Sequence, residues 1–78
     1  MNDNPNLATS KTQNAQIFAY LKAGNKLTSL MALNKFGCFR LASRISDLRR
    51  LHPEEDIRVE RVKTIQNKTV AQYYIATL

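Results

Sequence analysis

Two helical patterns separated by only four residues constrain this chain more than any other feature. Small and apolar residues at helical spacing run from Thr28 to Phe36, and a second helical pattern begins at Arg40. The connection, Phe36-Gly37-Cys38-Phe39, contains a glycine, which readily adopts the left-handed conformation that ends a helix. A glycine in so tight a link lets the two helices cross steeply, so the pattern predicts a helix-turn-helix.

A further helix is expected before this pair. Ser10-Lys11-Thr12-Gln13 can form a capping box, and Ile17, Phe18 and Leu21 follow as one apolar stripe. Gly24 offers a left-handed residue that would close the helix. We therefore expect helix one to run from Lys11 to Ala23.

The other two helices follow from similar signals. Thr28 can cap the second helix, and Gly37 would end it. The third helix is expected over Arg40 to Leu51, with Pro53 stopping it. Its core-facing residues are spaced i, i+4 and i+7, and they are Leu41, Ile45 and Leu48. Buried Cys38 would act as a small hydrophobic residue.

The last third of the chain has the composition of strands. The β-branched and aromatic runs Ile57–Val62 and Thr69–Ile75 predict an antiparallel hairpin, with Tyr73 and Ile75 pointing inward. Gln66-Asn67-Lys68 would form its tip, because Asn67 tolerates a positive φ. The residues alone leave open whether a short strand around Lys26 to Thr28 pairs with the hairpin. The expected class is α+β, three helices followed by a hairpin.

Length and composition exclude several kinds of protein. The 78 residues allow one domain, expected over residues 10–78, after an Asn-rich tail, Met1–Thr9, that we expect to be disordered. One cysteine cannot form an internal disulfide, and one histidine leaves no plausible zinc set. We expect no metal, no cofactor and no enzymatic activity, since no nucleophile, base and oxyanion donors can be assembled.

The charge favours a polyanionic partner. Twelve Lys and Arg residues stand against six Asp and Glu, giving a formal charge of +6. Nucleic acid is the first candidate and a membrane surface the second. The chain has no apolar run long enough for a membrane span and no signal peptide, so we expect a cytoplasmic protein. Residues 40–52 carry four basic residues and one acid, residues 57–78 carry the same, and residues 53–56 contribute only acids.

The densest motifs resemble a known family. Leu27-Thr28-Ser29-Leu30, Ala32-Leu33, Phe36-Gly37-Cys38 and the run from Arg40 to Arg49, RLASRISDLR, resemble the small winged helix-turn-helix domains of phage and prophage proteins. The resemblance covers about residues 13–75 and implies a winged-helix fold with a DNA-binding role. The chain departs from the family pattern at Met31, in the link of residues 52–56 and in a wing tip without glycine.

Ten residues are candidates for DNA contact. On the third helix they share an expected exposed side, near the N-terminal end that usually enters the major groove, and we expect Arg44 to contact bases. On the hairpin they would lie beside the backbone and a minor groove. The candidates are Arg40, Ser43, Arg44, Asp47, Arg50, Arg58, Arg61, Lys63, Asn67 and Lys68. The alternatives are a solvated helical face with i, i+3 ion pairs and a basic hairpin that discourages edge-to-edge aggregation.

Two functions of different classes fit these features. The first is a double-stranded DNA-binding protein of phage or mobile-element type, acting as a transcriptional regulator or a recombination accessory factor. The second is an interaction module in which the same fold docks an acidic partner, a phage or host protein. Charge placement favours DNA. We expect a monomer or a weak homodimer, because no helix is left over for a coiled-coil interface.

Overall fold

The computed structural model describes residues 10–76 as three helices and a three-stranded antiparallel sheet. The elements are α1 (Ser10–Lys22), β1 (Leu27–Thr28), α2 (Ser29–Phe36), α3 (Leu41–Leu51), β2 (Ile57–Lys63) and β3 (Thr69–Ile75). The strand order is β1-β3-β2. This confirms the α+β class and settles the question of the short strand, since Leu27 pairs with Tyr73 and Thr28 with Gln72. The expected tail, residues 1–9, lies outside the described residues.

Local chemistry explains where the helix-turn-helix begins and ends. The Thr28 hydroxyl oxygen accepts a hydrogen bond from the backbone N–H of Met31 at 3.3 Å, which caps α2 as predicted. Gly37 follows with φ 64°, and its N–H donates to the Leu33 carbonyl at 2.9 Å. Gly24, after α1, is also left-handed. The Ser10 side chain of the expected capping box lies outside what the structure describes.

One hydrophobic core joins all six elements. The helices contribute Ile17 and Leu21 from α1, Ala32 from α2, and the predicted stripe of α3. The sheet contributes Leu27, Ile57 and Ile75, with Tyr73 packed against the cluster. Cys38, in the turn between α2 and α3, is buried as expected. The apolar stripe Leu41, Ile45 and Leu48 therefore fixes the rotation of α3.

Contacts at the end of α3 connect the helices to the sheet. The Arg49 guanidinium donates to the Ile57 carbonyl at 3.1 Å, where β2 begins. The Phe18 and His52 rings are stacked with their centroids 3.8 Å apart. Lys22 of α1 forms an ion pair with Glu55 of the connection at 2.8 Å. The path from α3 into β2 is thus held by several side chains.

The buried stripe of α3 gives a stability prediction. Ile45→Ala removes methyl groups from a side chain in the middle of the core, and we expect it to lower the free energy of unfolding by about 2–5 kcal/mol. Ser46→Ala is the matched control, because Ser46 is exposed on the same helix; its effect should stay within about 0.5 kcal/mol. Urea denaturation of both variants measures the difference. Equal losses would show that α3 is rotated about its axis.

Candidate nucleic-acid interface

The side of α3 that faces away from the core carries polar side chains. Successive helical residues are about 100° apart, so burial of the apolar stripe turns Ser43, Ser46 and Arg50 towards solvent. Arg40 is also exposed and stands immediately before the first helical residue, Leu41. These four residues form what we call the outer face of α3. Arg40, Ser43 and Arg50 were predicted from the sequence.

Asp47 lies at the edge of the outer face and holds two arginines. One carboxylate oxygen is 3.0 Å from a terminal guanidinium nitrogen of Arg50, and the other is 3.3 Å from one of Arg44. The side-chain amide of Asn14, on α1, donates to the same carboxylate at 3.4 Å. The hydrogen bond from Arg50, that from Asn14 and the nearby arginine charges lower the pKa of Asp47 below 3.8. Asp47 thus connects α1 to the arginines of α3.

The predicted exposure of Arg44 and Asp47 is wrong. Their side chains are only 17% and 21% exposed, whereas that of Arg50 is 69% exposed. Both lie on the flank of α3 that faces α1, as the contact from Asn14 shows. Helical spacing distinguishes the core side of a helix from the opposite side, but it does not show which neighbouring helix covers a flank.

The hairpin separates its predicted residues into two groups. Arg61, Lys63, Asn67 and Lys68 lie in its outer half, near the loop that joins β2 and β3. Arg58 lies at the other end of β2, seven residues before Ile65, which is about 23 Å along a strand. Its guanidinium contacts Asp56 at 2.8 Å, and this carboxylate raises the pKa of Arg58. The structure therefore does not place Arg58 with the predicted residues near the loop of the hairpin.

The wing tip is a tightly bonded three-residue loop, Ile65-Gln66-Asn67. The N–H of Asn67 donates to the Thr64 carbonyl at 2.9 Å, and the N–H of Thr64 donates to the Lys68 carbonyl at 2.8 Å. Asn67 has φ 63°, which confirms the predicted left-handed residue without glycine. A turn followed by a left-handed residue is typical of three-residue hairpin loops. The Lys63 ammonium donates to the Asn67 side-chain oxygen at 3.2 Å, so these two predicted residues contact each other.

Four residues near these surfaces were missed in the sequence. Ser46 could have been found, because it is three residues after Ser43 on the outer face. Asn14 acts across two helices, so no local pattern indicates it. Phe39, before α3, and Ile65, at the wing tip, are 85% and 102% exposed, although apolar residues are ordinarily expected in the core.

The acidic side chains do not neutralise the outermost cations. Each of the five Asp and Glu side chains within residues 10–76 lies within 4 Å of a basic side chain. Arg40, Arg61 and Lys68 make no ion pair with any of these carboxylates. Cations without a carboxylate partner therefore lie before α3 and in the outer half of the hairpin, and Lys11 of α1 and Lys35 of α2 are two more.

The Asp47 contacts give a prediction about pH. Arg50→Ala and Asn14→Ala should each raise the pKa of Asp47 towards 3.8, because each removes a hydrogen bond that favours the ionised carboxylate. A carboxyl NMR titration measures this value directly. Because the folded pKa is lowered, Asp47 stabilises the fold above pH 3.8, and this contribution is lost as pH falls through the folded pKa.

Arg58→Ala is the control for this titration, since Arg58 contacts Asp56 on a different element. It should leave the pKa of Asp47 unchanged. An Asp47 that titrates at 3.8 or above in the wild type would show that the contacts do not form in solution.

Comparison with known proteins supports the same architecture. Within residues 10–76 no helix is long and apolar enough to cross a membrane, and no group of three His, Cys, Asp or Glu side chains could hold a metal ion. Neither a curated protein nor a solved structure matched the chain. A family model described as a winged helix-turn-helix domain matches residues 12–77, nearly the whole chain. Together with three helices and the sheet order β1-β3-β2, this match shows that the chain belongs to the winged helix-turn-helix domain family.

Proposed function

We propose that the protein binds double-stranded DNA, with α3 in the major groove and the hairpin along the adjacent backbone and minor groove. One observation carries the proposal: Arg40, Arg61 and Lys68 make no ion pair with a carboxylate of the described chain, and they are exposed at the N-terminal end of α3 and in the outer half of the hairpin. The family supports this partner, since winged helix-turn-helix domains suggest DNA binding. The charge provides the sequence-independent part of the affinity.

The outer face of α3 suits close approach to bases. Ser43 and Ser46 are short, so the helix backbone can come near the groove floor, and a serine hydroxyl can donate to or accept from a base. Arg40 stands at the N-terminal end, the part of a recognition helix that usually contacts base edges. Arg50 is near the other end and would contact a phosphate, with Asp47 setting its direction.

The wing provides contacts that position the protein on the duplex. Arg61 and Lys63 are two residues apart on β2, so their side chains lie on the same face of the strand. Lys68 immediately precedes β3. Such side chains bind phosphates and fix orientation without distinguishing sequences. Arg58 lies too far from the tip to join them.

The biological role we propose is a small non-catalytic DNA-binding factor of a phage or another mobile element. It would act in the cytoplasm as a transcriptional regulator or as an accessory factor in recombination, as a monomer or weak homodimer. A second phage or host protein could join it on DNA. What supports this role is the resemblance of residues 27–49 to phage and prophage domains, together with the net charge.

The first functional prediction concerns general affinity. If about five phosphates are neutralised, a plot of log K against log salt should have a slope of about −4 to −5. Fluorescence anisotropy with a duplex of random sequence, repeated over a range of salt concentrations, measures it. Absence of binding at low salt would favour the alternative of docking to an acidic protein.

The second functional prediction separates base contacts from backbone contacts. Arg40→Ala should weaken binding to a selected site by about 1–3 kcal/mol and relax the preference at one or two base pairs. Lys68→Ala should weaken all sequences alike and reduce the magnitude of the salt slope by about 1. Selection from randomised duplexes, followed by anisotropy, tests both.

Two controls complete this experiment. Lys22→Ala removes the same charge from α1, where Lys22 is paired with Glu55, and should leave the salt slope unchanged. Arg44→Ala should reduce every affinity without altering the selected motif, because Arg44 is held at Asp47 on the flank of α3. A changed motif in Arg44→Ala would assign base contact to Arg44, as the sequence alone suggested.

A further inference from the structure

The isoleucine at the wing tip has no role within the domain. Ile65 is 102% exposed, as much as in an extended chain, whereas Ile17, Ile45, Ile57 and Ile75 are all buried. Hairpin loops are usually built from Gly, Asn, Asp, Ser and Pro, because these residues suit turn geometry and water. A fully exposed isoleucine at this position contributes no packing that would account for it.

The loop presents Ile65 in a fixed direction. Thr64, immediately before it, makes hydrogen bonds to Lys68 through its N–H and through its hydroxyl oxygen, the latter at 3.2 Å. The Asn67 N–H donates to the Thr64 carbonyl and so closes the turn. A β-branched side chain also has few χ1 rotamers to lose. Burying Ile65 against a partner would therefore cost little conformational entropy.

The surroundings of Ile65 indicate what the partner is. Lys63 and Lys68 lie on the two sides of the loop, and Gln66 and Asn67 complete it; no carboxylate is part of residues 63–69. An apolar tip between cations does not match a purely apolar protein surface. It matches a duplex, where phosphates border a groove and the stacked bases offer apolar surface between them.

We propose that Ile65 is an apolar wedge that inserts from the minor groove into a base step and kinks the DNA. This inference rests on the proposed function and adds a second activity to it, the bending of DNA. Side chains such as isoleucine partly unstack a step when they insert, and they kink the duplex by about 20–90°. Flexible pyrimidine–purine steps would be preferred, because they unstack at the lowest cost.

Ring closure of a short DNA fragment by DNA ligase tests the proposal without a known target site. A fragment of about 100 bp is shorter than the persistence length of DNA, about 150 bp, so it closes rarely on its own. The wild-type protein should increase the yield of circles strongly. Ile65→Ala should abolish most of this increase while retaining binding and the salt slope, because no phosphate contact is removed.

Two variants in the same loop sharpen the test. Ile65→Leu keeps an apolar side chain of similar size and should keep the increase in ring closure. Gln66→Ala changes the neighbouring exposed residue and should also keep it. Because Ile65 is fully exposed, all three variants should melt at the wild-type temperature.

Anisotropy on the same fragment distinguishes the two ways to fail. No binding by the wild type would overturn the proposed function, and the wedge with it. Binding without increased ring closure, or ring closure that is unchanged in Ile65→Ala, would overturn the wedge alone. Loss of ring closure in Gln66→Ala would assign the bending to another part of the loop. It would likewise contradict the role of Ile65.

Discussion

Burial of one stripe of α3 determines what the rest of the molecule can present to a partner. Leu41, Ile45 and Leu48 pack into a core to which every other helix and strand contributes. Close-packed interiors resist rotation of a helix, because a small turn would open voids on one side and cause clashes on the other. The direction of the outer face of α3 is therefore set by apolar residues that are buried in the core.

Polar contacts hold α3 on the sides where the core does not. Asn14 reaches Asp47 from α1, Arg49 reaches the Ile57 carbonyl of the sheet, and the Gln13 amide donates to the Gly37 carbonyl at 3.3 Å. Two of these contacts join α3, or the turn before it, to α1, and the third joins α3 to the sheet. Pre-organisation of this kind lowers the cost of ordering side chains when a partner binds.

The sequence predicted what depends on local chemistry. Thr28, Gly37 and Asn67 adopt the expected conformations because a cap or a left-handed turn needs only the residue itself and its neighbours. Strand β1 was left open, since two residues are too few to show a strand period. The flank position of Arg44 depends on where α1 packs, and the exposure of Ile65 depends on the loop, so neither appears in a pattern along the chain.

Local stability differs along the β2–β3 hairpin: it is higher at the base and at the tip than in the middle. At the base, Ile57 and Ile75 pair within the core, and β1 adds a third strand as far as Gln72. Beyond that point β2 and β3 pair only with each other among the described strands, and a two-stranded ribbon has little stability of its own. The hydrogen bonds of Thr64 and Asn67 then fix the loop locally. Because low local stability permits motion, the ribbon can bend while its tip keeps its shape. This arrangement would suit the proposed bending of DNA, in which the distance between α3 and the groove changes.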